Sequence, residues 1–200
     1  MNTAQIYYTW GGIRKTVQDY IDACEHCQIK KHPQLAPPLT PIIPQHKRSR
    51  LVFDLTEKEI DNYDMKYILV VINSFTKMIW TFALPSKHTG PICKFLYETF
   101  KNLGYEIYQS DNGGEFISKE IEAIIEKLGG TFVHGSPRHP QSQGVVERVN
   151  GTLKKKLNTI LDLYGGDWSR VLQKATLHYN TTVHSVTRVT PYKVRFTHQK

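Results

Sequence analysis

Five short apolar segments, separated by turn-forming residues, follow position 50 of this 200-residue chain. Their β-branched and aromatic residues and their short lengths are typical of β-strands. The first three segments are consecutive and are predicted to form an antiparallel meander with a turn at residues 74–77. We predict strands at Leu51–Thr56, Lys66–Asn73, Met78–Leu84, Tyr105–Gln109 and Thr131–Val133.

Apolar residues at helical spacing fill most of the intervals between and after these strands. Ser118 is predicted to cap one of these helices, and residues 134–144, which include two prolines and two glycines, are predicted to form a loop. The order of elements indicates an α/β fold with one five-stranded mixed sheet and helices on both faces. The predicted helices are Ile13–Cys24, Thr89–Leu103, Ser118–Leu128, Gly144–Tyr164 and Asp167–Tyr179.

A proline cluster divides the chain. Five of the ten prolines lie between Pro33 and Pro44, and such a stretch favours an extended, semi-rigid linker. We therefore predict an N-terminal module at residues 1–32, a linker at residues 33–48 and a main domain at residues 49–200.

Charge and cysteine content narrow the class of protein. The formal net charge is +8, and residues 134–200 hold eleven Lys or Arg against three Asp or Glu. A basic C-terminal part favours an acidic partner such as nucleic acid, although solvated surfaces can give the same sum. Three cysteines do not form a disulfide framework, and the longest apolar run is too short to span a bilayer, so we expect an intracellular protein without a membrane segment.

Three carboxylates occupy positions that favour catalysis. Asp54 lies inside the first predicted strand, Asp111 directly after the fourth, and Glu147 in the first turn of the longest helix. A charge within an apolar strand is costly unless it is paired or binds a metal ion. Each also has an ordinary interpretation: an ion-paired strand residue, a turn former in Asp-Asn-Gly and a helix N-terminal carboxylate. The spacing alone does not decide between these interpretations.

Phosphodiester transfer would explain all three carboxylates together. The reaction must activate an oxygen nucleophile and stabilise the leaving oxygen, which two Mg²⁺ ions held by shared carboxylates can do. Carboxylates from a central strand, a neighbouring strand tip and an abutting helix can meet at such a site.

The segments KYILVVINSFTK, YQSDNGGEF and HGSPRHPQSQGVVERVNGTLKKKL together resemble the core of retroviral and Ty3/gypsy-type integrases. The stretch PRHPQSQGVVERVNG is also similar to integrase-derived domains of domesticated transposon proteins. The resemblance implies a ribonuclease-H-like fold, two Mg²⁺ or Mn²⁺ ions and a D,D-35-E triad of Asp54, Asp111 and Glu147. It also implies 3′-end processing followed by strand transfer, action on double-stranded DNA as a homo-oligomer, and location in the nucleus after a cytoplasmic stage.

The resemblance has one visible departure. Many relatives carry Asp where this chain has Asn73, and we interpret that position as structural. Asp61 and Asp64 are rival candidates for the first carboxylate, but they lie in a polar stretch predicted to be a loop.

A DNA-facing surface is predicted beside the triad. Asn150 and Lys154 share a helical face with Glu147, and Lys155 widens the basic rim, although an exposed lysine run is also an ordinary solvated face. The preceding loop offers side chains that donate to phosphates or base edges. The predicted DNA contacts are Arg138, His139, Gln141, Gln143, Asn150, Lys154 and Lys155.

The N-terminal module carries half of a zinc site. Cys24 and Cys27 form a Cys-x-x-Cys pair, and the surrounding stretch resembles the second half of an integrase His-His-Cys-Cys domain. The two expected histidines do not precede it, since His26 and His32 lie within and beyond the pair. The module is therefore interpreted as partial and helical, with doubtful Zn²⁺ binding.

Two other functions fit the residues. A non-catalytic DNA-binding protein derived from an integrase would explain the missing histidine pair, and a ribonuclease-H-type nuclease would share the sheet and the metal ions. DNA integration by a metal-dependent polynucleotidyl transferase remains the main hypothesis.

Overall fold

The structure of the chain, a computed structural model, describes residues 10–25, 43–111, 113–134 and 140–197, with side chains from residue 144 in the last range. The chain divides into two compact units, Met1–Thr40 and Pro41–Lys200. In the first unit, helix α1 spans Ile13–Ala23 and buries none of its residues. Its predicted apolar stripe includes Val17 and Tyr20, which are 44% and 76% exposed. The described part of this unit therefore has no packed core of its own.

The second unit is built on a five-stranded sheet of order β3-β2-β1-β4-β5. Strands β1, β2 and β3 pair antiparallel, whereas β4 pairs parallel with both β1 and β5. The predicted meander and the mixed sheet are confirmed. The strands are β1 Arg50–Glu57, β2 Tyr67–Asn73, β3 Ile79–Leu84, β4 Ile107–Ser110 and β5 Thr131–His134.

Five helices accompany the sheet in the described part of the second unit. Ser118 caps its helix as predicted, since its side chain accepts a hydrogen bond from the Ile121 backbone N–H. The long helix begins at Pro140, four residues before the predicted start, because proline is tolerated in the first turn of a helix. The helices are α2 Thr89–Phe100, α3 Lys119–Lys127, α4 Pro140–Tyr164, α5 Trp168–Thr181 and α6 Pro191–Phe196.

Helix α6 is absent from the sequence prediction. Its six residues are too few to establish a helical period, so only its N-terminal chemistry signals it. Thr190 caps the helix by accepting from the Lys193 N–H, and Pro191 supplies a preset backbone angle at its start.

Both faces of the sheet are covered, and each face has its own hydrophobic cluster. Leu51 and Phe53 of β1 point into a cluster closed by α2 and α3. Val52, between them, points to the opposite face, where α4 and α5 provide the cover. Alternate residues of β1 therefore face different helices, as the pleat of a strand requires. None of the described helices combines the length and apolar character needed to cross a bilayer.

The second unit begins before the predicted domain boundary at residue 49. The Glu106 N–H donates to the Arg48 carbonyl at 3.0 Å, and His46 Nε2 lies 3.1 Å from Glu106 Oε1. Lys47 Nζ donates to the carbonyls of Arg195 and Thr197. The end of the predicted linker is thus bound to β4 and α6 as part of the core unit.

Candidate active site

Asp54 lies on β1 at the centre of the sheet, on the face covered by α4. The pleat places it on the side of Val52, which packs in the α4 cluster. On its antiparallel side it pairs with Val70 of β2, an apolar neighbour that offers no counter-charge. The Asp54 carboxylate is half-buried, so solvent compensates its charge only in part.

Asp111 faces Asp54 across the parallel pair of β1 and β4. The register aligns Val52 with Gln109, and continuing it by two residues places Asp111 opposite Asp54. Opposite residues on adjacent strands point to the same face of a sheet. Asp111 Oδ1 accepts a hydrogen bond from the Gly113 N–H at 3.0 Å, which orients the carboxylate at the strand tip.

A third carboxylate, Glu115, approaches this pair and was not singled out by sequence. An added Cβ at Gly113 would lie 3.0 Å from both Asp111 Oδ1 and the Glu115 Cδ atom, so the glycine allows the two acids to flank it. Glu115 Oε1 lies 3.8 Å from Lys87 Nζ, and its side chain is 18% exposed. The available signal was the close spacing of Asp and Glu around two glycines in DNGGEF.

Helix α4 contributes Asn150 to the site. Its Nδ2 donates to Asp54 Oδ2 at 2.8 Å, and the side chain is 8% exposed. Its Oδ1 is buried and has no hydrogen-bond partner among the described residues. Glu147 lies one helical turn before Asn150 and is exposed to solvent.

The environment raises the pKa of Asp54 to about 6. Burial is the largest cause, and the charge of Asp111 adds to it. Hydrogen bonds from the Leu55 backbone and from Asn150 act in the opposite direction, and Glu115 contributes a smaller repulsion. The carboxylates therefore repel one another, and a bound cation would relieve that repulsion.

The arrangement fits a divalent cation in part. Two facing carboxylates, of which Asp54 has a raised pKa, and an amide oxygen without a partner among the described residues are hard oxygen donors of the kind that Mg²⁺ and Mn²⁺ prefer. Within the described ranges, however, no three or more His, Cys, Asp or Glu residues already lie close enough together to hold a metal ion. The structure thus brings Asp54 and Asp111 together, and it leaves Glu147 exposed to solvent on α4.

The predicted DNA surface needs one correction. Asn150 was assigned to DNA contact, but its amide is buried against Asp54 and so belongs to the carboxylate site. Lys154 is half-buried and Lys155 is exposed on α4. Arg138 and His139 lie outside the described residues, as do the side chains of Gln141 and Gln143.

The rival carboxylates have structural roles in the loop between β1 and β2. Asp61 accepts hydrogen bonds from the N–H groups of Tyr63, Met65 and Ser169, and so ties this loop to the start of α5. Asp64 adopts a left-handed backbone conformation at φ 58° and is exposed. Both residues lie in a loop, as the sequence predicted.

Asn73 is a structural residue, as interpreted from sequence. The side chain is fully buried, and its Oδ1 accepts from the N–H groups of Phe75 and Thr76 at 2.9 and 2.8 Å. Its Nδ2 donates to the Lys47 carbonyl and to the Tyr105 hydroxyl. Asn73 therefore stabilises the β2–β3 turn and binds Lys47, near the start of the core unit, to β2.

The cysteines divide between the two units. Cys24 follows α1 and is half-buried, whereas Cys27, His26 and His32 lie outside the described residues, so the predicted zinc pair stays a prediction. Cys93 is buried on α2, and burial raises the pKa of its thiol. A buried free cysteine of this kind packs as a small apolar side chain.

Two protein families match this chain. The family described as integrase core domain matches residues 44–140, and the family described as integrase zinc binding domain matches residues 1–33. The Tf2-3 and Tf2-4 transposon polyproteins of Schizosaccharomyces pombe are each 27% identical to the chain over 194 residues. These matches cover 94% of this chain but 14% of each polyprotein.

Solved structures share the fold. The catalytic core domain of BIV integrase matches with a TM-score of 0.63 and 24% identity, covering 74% of this chain and 93% of that one. A chain of a simian T-cell lymphotropic virus intasome in complex with PP2A regulatory subunit B56 gamma matches with a TM-score of 0.75 and 18% identity, covering 98% and 70%. Residues 1–33 and 44–140 therefore match the integrase zinc binding and core domain families in chain order, and the second segment, which holds the five-stranded sheet, belongs to the integrase core domain family.

Proposed function

We propose that this chain is a metal-dependent polynucleotidyl transferase that processes the 3′ ends of DNA and joins them to target DNA. Asp54, Asp111 and Glu147 are its proposed catalytic carboxylates. The observation that carries the proposal is the facing pair of Asp54 and Asp111 beneath α4, the helix that bears Glu147.

Each residue has a distinct proposed role. Asp54 and Asp111 would hold one divalent ion, and Asp54 and Glu147 a second, with Mg²⁺ or Mn²⁺ as the ion. Bound ions would activate the attacking oxygen and stabilise the leaving oxygen. Asn150 keeps the Asp54 carboxylate oriented through its hydrogen bond. Because Glu147 is exposed, a modest rearrangement around α4 would complete the site when DNA and metal ions bind.

A strand-transfer assay with labelled donor ends and Mn²⁺ tests this assignment. Asp111→Asn and Glu147→Gln should each abolish product, because each removes a metal-binding charge. The matched control is Asp162→Asn, an exposed carboxylate on the same helix, which should leave activity unchanged. Normal product with either triad variant would refute the triad. Loss with Glu115→Gln but not with Glu147→Gln would reassign the third carboxylate to Glu115.

A second candidate is a DNA-binding protein that performs no chemistry. It is favoured by the lack of a preassembled three-carboxylate cluster among the described residues. DNA binding in EDTA, together with no strand transfer or cleavage in Mg²⁺ or Mn²⁺, would select this candidate. Preferential cleavage of RNA–DNA hybrids would instead indicate the ribonuclease-H-type activity.

Partners and location follow from the same proposal. The chain would act on double-stranded DNA as a homo-oligomer in the nucleus, after synthesis in the cytoplasm. We further propose that Cys24 and Cys27 contribute to zinc binding in the N-terminal unit, which matches the zinc binding domain family. Metal analysis of purified protein tests this, and unchanged zinc content in a Cys24→Ser, Cys27→Ser variant would refute it.

A further inference from the structure

A cavity of about 270 Å³ lies between α4, the end of α5 and the turn that joins β2 to β3. Its floor is apolar and includes Ile72, Val149 and Tyr179, which belong to or border the cluster beneath α4. Residues 182–186, which follow α5, form one wall. The cavity is thus a concave apolar surface formed by the core unit itself, which is the usual form of a ligand site.

Four basic side chains line this cavity: Lys77, Arg148, Lys156 and His184. None of the four forms an ion pair with a carboxylate of the described chain. Lys77 Nζ donates to the Ser74 carbonyl at 2.5 Å and Lys156 Nζ to the Thr182 hydroxyl at 3.0 Å, and both acceptors are neutral. The cavity therefore gathers positive charge without a compensating negative group.

The titration behaviour agrees with this charge imbalance. Burial lowers the pKa of Lys77. Burial also lowers the pKa of His184, and the charges of Lys77 and Arg148 lower it further. His184 Nδ1 accepts from the Val186 N–H at 3.2 Å, which leaves Nε2 as the nitrogen that can donate. Lys77 and Lys156 are half-buried cations without a carboxylate partner in the described chain, which is costly, and an anionic ligand would offset that cost.

The cavity is separate from the carboxylate site. At 100° per residue, Arg148, Thr152 and Lys156 share one face of α4. The centre of that face lies roughly 150° around the helix axis from the face of Glu147 and Lys154. A ligand in the cavity would therefore not occupy the position proposed for the metal ions.

We propose that this cavity binds a single-stranded segment of DNA, with the backbone phosphates on Lys77, Arg148 and Lys156 and a sugar or base against the apolar floor. Three cations exceed the charge of one carboxylate, whereas a DNA strand carries one negative charge per nucleotide. The bases of a duplex are stacked and paired and cannot enter a cavity, whereas a base of an unpaired strand can. The inference rests on the proposed function, because it assigns a second strand-binding surface to a DNA-joining enzyme.

Fluorescence anisotropy of the full chain with a labelled single-stranded oligonucleotide, in EDTA, tests the proposal. A triple variant, Lys77→Gln, Arg148→Gln and Lys156→Gln, should bind at least about tenfold more weakly at low salt. The slope of log affinity against log salt should fall by about 2, since each lost phosphate contact contributes about 0.7 for single strands.

A charge-matched triple variant separates the cavity from general surface charge. Lys94→Gln, Lys119→Gln and Lys174→Gln remove three exposed positive charges elsewhere. This control should change affinity by less than about threefold, because none of the three lysines lines the cavity. Equal losses in the two triple variants would overturn the proposal.

A cavity-filling variant tests the pocket without changing charge. Thr152→Trp introduces bulk at an exposed lining position, so the fold should survive and thermal unfolding verifies this. It should weaken single-strand binding severalfold, and unchanged affinity in a folded variant would overturn the proposal. If Thr152→Trp weakened binding of a blunt-ended DNA hairpin more than binding of the single strand, the single-strand assignment would be overturned. If Thr152→Trp weakened binding of a labelled polyglutamate peptide more than binding of the single strand, the ligand would be an acidic protein segment and not DNA.

Because these binding measurements exclude metal ions, they do not depend on catalysis. Absent strand transfer with intact cavity-dependent binding would refute the proposed chemistry alone. Normal strand transfer with cavity variants that bind like the control would refute the cavity site alone.

Discussion

At the scale of single residues, the site depends on how Asp54 is surrounded. The Asn150 amide touches it, Asp111 faces it, and its strand neighbour Val70 is apolar. Burial and the charge of Asp111 raise the pKa of Asp54 to about 6, whereas the Asn150 hydrogen bond acts in the opposite direction.

Asp54→Asn should stabilise the metal-free protein at high pH. Because the pKa of Asp54 is raised from 3.8 to about 6 on folding, the folded state binds more protons between these values, and stability falls as pH rises through this window. Above pH 6 the free energy of unfolding is lowered by the full cost of ionising the buried carboxyl group, up to about 3 kcal/mol at 1.4 kcal/mol per pKa unit. Urea unfolding in EDTA should show a higher free energy of unfolding for Asp54→Asn than for the unchanged protein at pH 8, and little difference at pH 4.

The control for this variant is Asp162→Asn, whose carboxylate is exposed on α4. It should change the free energy of unfolding equally little at both pH values. A gain for Asp54→Asn that is the same at pH 4 and pH 8 would contradict the titration argument.

Asn73→Asp should destabilise the core unit by about 1–3 kcal/mol, the usual cost of leaving buried polar groups unpaired. The amide group now donates to the Lys47 carbonyl at 2.7 Å, and a carboxylate would place negative charge against that oxygen. Chemical denaturation measures the effect. Asn158→Asp on the exposed side of α4 is the matched change and should be nearly neutral, so equal losses would count against the buried network.

At the scale of elements, helix α4 combines three tasks. One face carries the apolar stripe that packs on the sheet, which includes Val146, Val149 and Leu153. Another carries Asn150, which contacts Asp54 of β1, and the exposed Glu147. A further face, with Arg148 and Lys156, lines the basic cavity. A single helix can serve three surfaces because its side chains radiate every 100°.

Gly151→Ala should stabilise α4 by about 0.5–1 kcal/mol, because alanine loses less conformational entropy in a helix than glycine. Nothing outside the helix lies within 4 Å of the position that the added Cβ would occupy. Thermal unfolding measures the gain.

Gly130 directly precedes β5. Gly130→Ala should lower the free energy of unfolding, in contrast to Gly151→Ala. Its Cβ would lie 2.5 Å from the Tyr108 ring and 2.9 Å from the Tyr105 carbonyl, so the core must shift. If both alanine variants destabilised the protein, the argument from open space at Gly151 would be wrong.

At the scale of the whole molecule, the hydrophobic core of the described residues lies in one unit. Both hydrophobic clusters consist of residues from Leu51 onward, and helix α1 of the other unit buries none of its own residues. The core unit includes residues before 49 because Lys47 and Arg48 are hydrogen-bonded to its other elements.

A chain that begins at Pro41 should therefore fold and keep the denaturant midpoint of the full chain, with a change of less than about 1 kcal/mol. A second chain that begins at Leu51 should be clearly less stable, because it loses the contacts of His46, Lys47 and Arg48. Equal stability of the two shortened chains would mean that these contacts contribute little.

Sequence reasoning located the five strands and the long helices, because buried elements of this size leave strong periodic patterns. It missed α6, which is too short to show a period, and started α4 too late because prolines were taken as loop residues. It proposed Asp54, Asp111 and Glu147 from motif order, but it did not find Glu115, whose approach depends on the backbone turn at Gly113.

The amino-acid pattern by itself determined the mixed α/β sheet, the family resemblance and the candidate carboxylates, since these depend on residue type and local spacing. Only the tertiary structure decided that Asn150 turns inward to Asp54 and that Lys77, Arg148, Lys156 and His184 meet in one cavity. Those relations join residues up to 107 positions apart in sequence, and such distances are set by strand register and helix packing.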